Sequence, residues 1–72
     1  MEPRPGQTYR HYKGNLYKVL CVAQHTETEE RFVVYECLYE NNTSQYWVRP
    51  LVMFMEMVEK DGKTFPRFEL VS

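Results

Sequence analysis

Short apolar blocks rich in Val, Tyr and Phe alternate along this chain with polar, turn-forming clusters. "TYRHY" at 8–12 reads as a short strand that stops at the turn signal "KGN" at 13–15. "LYKVLCVAQH" at 16–25 is β-branched and aromatic and has no helix cap before it, so it predicts a long strand. The polar loop "TETEE" separates it from a second long strand, "RFVVYECLYE" at 31–40, which "NNTS" closes. "QYWVR" predicts a further strand ended by Pro50, and a single helical turn is expected over 50–54. Asp61-Gly62 between apolar runs is a strong hairpin signal, and a hairpin is expected over 55–71. A two-residue loop there sets Lys60 against Lys63, Val58 against Phe65 and Glu56 against Arg67. The last pair is a favourable cross-strand match of about 0.2–1 kcal/mol, which supports this register.

Five or six short antiparallel strands with at most one helical turn predict an all-β fold. The expected architecture is a small SH3-like barrel, with an open antiparallel sheet that dimerises as the alternative. Residues 1–8, with two prolines and a glycine, form an extended arm before a single domain over 9–71.

Length sharpens this picture. A chain of 72 residues buries only about 60% of its unfolded surface, so its core must be rich in large side chains. With 15% aromatic residues it can be. The net charge of −1 shows no basic excess of the kind nucleic-acid binders carry, although Arg4, Arg10, His11 and Lys13 cluster early. The N-terminal segment has no apolar signal-like stretch, and no apolar run reaches membrane-spanning length. The expected compartment is therefore the cytoplasm, without membrane attachment. There Cys21 and Cys37 are free thiols, expected as buried small hydrophobes within strands.

Several chemistries find no support. Cys21 and His25 are the only closely spaced soft ligands, and no second pair follows, so neither a metal nor a cofactor is expected. No Cys-His pairing is imposed by the spacing, no carboxylate pair stands out from the solvated "ETEE", and "DGKT" lacks the rest of a phosphate loop. No catalytic residue is assigned. His25 either anchors its own Thr- and Glu-rich loop or lines a polar site beside Trp47 or Arg49.

"WVR" carries the remaining candidates. Trp47 and Arg49 share one face of an extended segment and Tyr46 and Val48 the other. Val48 is expected inside, which turns Trp47 and Arg49 outward. An aromatic plane beside a guanidinium suits recognition of a protein or peptide surface, or of a single-stranded nucleic acid. Alternatively, Arg49 lies across Trp47 and pairs with an acid such as Glu36. The candidate binding residues are thus Trp47, Arg49, His25 and Tyr35, with Glu56–Arg67 as a structural pair. The expected function is a non-enzymatic binding module, monomeric or weakly homodimeric. The alternatives are a small enzyme or small-molecule-binding domain using His25 and Arg49, and a nucleic-acid-binding module.

The blocks "YRHYKGNLYKVL", "AQHTETEE", "VVYECLY", "WVRPLVMF" and "DGKTFPRF" occur in an order that resembles the family known as domain of unknown function 1653, from about Tyr9 to Leu70. Cys21 stands where that pattern has glycine or another small residue. The resemblance implies a compact bacterial, cytoplasmic domain and supplies no catalytic set to carry over.

Overall fold

The computed structural model describes residues 2–72. In chain order the elements are β1 (Thr8–His11), β2 (Leu16–Gln24), β3 (Arg31–Cys37), β4 (Tyr46–Pro50), α1 (Leu51–Phe54), β5 (Met57–Lys60), β6 (Lys63–Pro66) and β7 (Phe68–Leu70). Five strands form one antiparallel sheet in the order β4-β3-β2-β1-β7, and β5 and β6 form a separate two-stranded ribbon.

Local chemistry accounts for the turns. Gly14 takes φ +111°, and His11 N–H donates to Asn15 O at 2.8 Å, closing the β1–β2 turn. In the β2–β3 loop, His25 N–H donates to Glu30 O at 2.8 Å. Asn41 Oδ1 accepts from Thr43 N–H at 2.8 Å after β3. Asp61 and Gly62, at φ 54° and 75°, form the tip of the β5–β6 hairpin. Two successive positive φ values give the twist that matches flanking strands.

The hairpin has the register the sequence predicts, with Val58 opposite Phe65 and Lys60 opposite Lys63. Its strands are shorter than expected, Met57–Lys60 and Lys63–Pro66, because Phe68–Leu70 pairs with β1. Beyond its base, Arg67 Nη2 donates to Glu56 Oε1 at 3.0 Å and Arg67 N–H donates to Glu56 O at 3.0 Å. The helical turn over 51–54 also forms, and it buries Leu51 and Phe54 against the sheet.

The expected barrel does not close. After α1 the chain spends β5 and β6 on each other, so among the described residues no strand bridges β4 to β7. β7 instead returns to β1, with His11 opposite Phe68. The result is an open antiparallel sheet with α1 on one face. That face carries the core: Val19, Val33, Tyr35, Leu51, Phe54 and Phe68, with Tyr9, Tyr17 and Trp47 packed around it. Phe54 stacks on Phe68 with ring centroids 4.0 Å apart and planes 5° from parallel.

Two expectations about side-chain direction reverse. Val48 is 62% exposed, whereas Trp47 packs against the core. Burying an indole stabilises by up to roughly 4–6 kcal/mol, against about 1.5–3 kcal/mol for a valine, so the strand turns its tryptophan inward and carries Arg49 with it. Cys21 is exposed rather than buried, while Cys37 is buried as expected. Val19 pairs with Tyr35 and Cys21 with Val34, so Leu20 is an extra residue. This β-bulge advances the alternation by one, replacing Cys21 with Val22 on the core side.

Candidate functional site

The geometry of β3 and β4 places Tyr35 directly opposite Trp47 and Val33 opposite Arg49, so all four share the core face. At one side of this face Arg49 is half-buried. Its Nε donates to the Tyr35 hydroxyl at 3.4 Å, and its guanidinium carbon lies 5.4 Å from the Phe68 ring centre. A guanidinium over an aromatic face gains about 0.5–2 kcal/mol, more as water is removed. Among the described residues no carboxylate pairs with Arg49. The ion pairs found are Arg10–Glu69, Arg31–Glu2 and Arg67–Glu56. Glu36, a possible partner in sequence terms, projects from the opposite face of β3 and accepts from Gln45 Nε2 at 2.7 Å.

His11 adjoins this cluster. Its ring meets Phe68 edge-to-face at 4.9 Å and lies 4.6 Å from Tyr12. Burial holds the imidazole below its ordinary pKa, and the charges of Arg49, Arg67 and Lys13 add to that effect. Nδ1 accepts from Lys13 N–H at 3.1 Å, so the neutral ring carries its proton on Nε2. Next to it, Arg10, His11, Tyr12, Phe65, Pro66 and Glu69 line a shallow cavity of about 220 Å³.

At the other end of the face, Trp47 Nε1–H donates to Cys37 Sγ at 3.0 Å, and Asn41 Nδ2 donates to the same sulfur at 3.5 Å. The Tyr17 and Tyr39 hydroxyls bond each other at 2.8 Å, and that bond is the chief reason the Tyr39 phenol is pushed well above its usual pKa.

The structure thus brings Trp47, Arg49 and Tyr35 together and leaves His25 elsewhere. His25 is exposed, and its Nδ1 accepts from Glu27 N–H at 3.1 Å and Thr28 N–H at 3.3 Å, the loop-anchoring arrangement. Its ring neighbours Phe32, which alternates to the opposite face from Val33. His11, Phe68 and Arg67 join the cluster without having been singled out for it. Their proximity depends on β7 returning to β1, a non-local pairing with no signal in any local run. Among the described residues no three His, Cys, Asp or Glu side chains gather as metal ligands, and no helix is long and apolar enough to cross a membrane.

No protein with a curated description matches the chain. A crystal structure of a DUF1653 protein from Bordetella bronchiseptica matches with a TM-score of 0.85 and 41% identity, over 94% of this chain and 86% of that one. The profile of the family described as "Protein of unknown function (DUF1653)" matches residues 7–70. The chain therefore belongs to the DUF1653 family.

Proposed function

We propose that this domain is a non-enzymatic binding module that takes an acidic segment of a peptide or protein surface on its Arg49 face. One observation carries the reading: Arg49 is held between Phe68 and the Tyr35 hydroxyl with no carboxylate partner among the described residues. The fixed guanidinium is already oriented, so an arriving carboxylate gains charge-assisted hydrogen bonds without ordering a flexible side chain. The charge of Lys13, which also acts on His11, adds to the attraction. Phe68 supplies the aromatic face and Tyr35 the positioning hydroxyl, and Trp47, two residues along β4, reports on the site.

The test is titration with N-acetylated hexaglutamate, followed by Trp47 emission and by amide shifts, beside hexaglutamine and an oligothymidylate. Hexaglutamate should bind, hexaglutamine should not, and Arg49→Gln should weaken binding at least about tenfold, the equivalent of one charge-assisted contact. Equal binding of the two peptides, no hexaglutamate binding, or an unchanged affinity in Arg49→Gln would overturn the reading. Tighter binding of oligothymidylate with a steep salt dependence would replace it with nucleic-acid recognition.

A further inference from the structure

β4 ends the five-stranded sheet, so among the described residues one of its edges has no partner strand. The hydrogen-bond phase shows which groups lie along that edge. Cys37 N–H donates to Gln45 O at 2.9 Å, and the β3–β4 ladder continues through Tyr35–Trp47 and Val33–Arg49. Hydrogen-bonding direction alternates along a strand, so Trp47 and Arg49 direct their backbone groups toward β3 and Val48 directs its N–H and C=O outward. Pro50 falls on the outward phase too, and its missing N–H therefore costs the β3–β4 ladder nothing. Pro50 blunts the end of this edge, whereas Tyr46–Arg49 before it contains neither lysine nor proline.

The edge is complementary to itself. In an antiparallel pairing about Val48, Val48 faces its own copy, Trp47 faces Arg49 of the second copy, and Tyr46 faces Pro50. The core-side pair is an indole against a guanidinium, formed twice by two-fold symmetry. The outer-side residues Tyr46 and Val48, 56% and 62% exposed, cover one another across the junction. The position opposite Tyr46 has no N–H to offer, and Tyr46 is already engaged by Ser44, its C=O accepting from the hydroxyl at 2.7 Å and its N–H donating to Oγ at 3.2 Å. The hydrogen bonds between copies are therefore the two at Val48. A slip by one residue would set outer-face side chains against core-face ones. A slip by two toward the C-terminus would set Arg49 against Arg49.

We infer that the β4 edge binds a second copy of this chain, Val48 against Val48, extending the two five-stranded sheets into one. The pairing shares Arg49 with the acidic-ligand reading, but Val48 itself lies on the outer face, so a substitution at Val48 tests the edge without touching the ligand site.

Sedimentation velocity across a wide concentration range tests it, with Val48→Lys as the edge-blocking variant. Val48 is solvent-exposed, so the variant should fold, and circular dichroism checks that it does. The wild-type chain should approach twice the monomer mass, and Val48→Lys should raise the dimer dissociation constant at least about tenfold. Val48→Cys in a Cys21→Ser background should form a disulfide-linked dimer on mild oxidation, since facing residues in such a pair lie about 5.5 Å apart at Cα. A monomer at every concentration, a dimer indifferent to Val48→Lys, or a dimer in which Val48→Cys stays reduced would overturn the proposal. Hexaglutamate binding retained by folded Val48→Lys separates its outcome from that of the ligand site.

Discussion

His11 shows how a single side chain can report on the cluster around it. Burial first, and then Arg49, Arg67 and Lys13, keep its folded-state pKa below 6.5. The unfolded chain therefore takes up a proton that the folded chain refuses. The stability carried by neutral His11 is fully present above the unfolded pKa. It declines as pH falls through that value and levels off below the folded one. The urea midpoint should accordingly drop between about pH 8 and about pH 5, and His11→Asn should flatten that slope. Glu2, held low by its hydrogen bond to Arg31, acts in a separate window below 4.5. An undiminished slope in His11→Asn would assign the effect to another group. At this scale the sharing of one face by Trp47 and Arg49 was legible in the sequence, whereas which face that was, and the place of His25 in its own loop, were not. Alternation tied Trp47 to Arg49 correctly. Which of the two faces went inside depended on the larger area of the indole, and on Phe68 being there to receive the guanidinium.

At the level of elements, the β5–β6 hairpin was the most legible part, because Asp61-Gly62 fixed the tip and Glu56–Arg67 agreed with it. Its separation from the main sheet makes it a local unit. Gly62 at φ +75° meets no atom within 4 Å of an added Cβ, so a side chain there brings backbone strain without a clash. Gly62→Ala should cost about 1–2 kcal/mol. Hydrogen exchange should then quicken about tenfold at the Val58 and Phe65 amides while Val33 stays protected. An equal change at all three would mean that the hairpin does not open alone. The bulge in β2 was the least legible feature. Nothing in "VLCV" distinguishes Leu20 as the extra residue, and its insertion is what lets both Val19 and Val22 face the core.

On the scale of the whole molecule, order along the chain and antiparallel pairing followed from turn chemistry, whereas the seventh strand and the lack of closure did not. A barrel needs its last strands to bridge the first and fourth, and here two of them are used on each other. The unpaired β4 edge and the half-buried Arg49 both follow from that one choice. The phase change in β2 has a further outcome for reagents in solution. It leaves one sulfhydryl, Cys21, on the surface and the other, Cys37, sealed beneath the indole. A chromogenic thiol probe in excess should react promptly with one equivalent per chain. The second equivalent should follow at a pace set by the β3–β4 junction coming apart, independent of how much probe is added. Simultaneous reaction of both would deny the barrier. Where the two phases separate, the protein carries its own stopwatch for the rupture of its sheet.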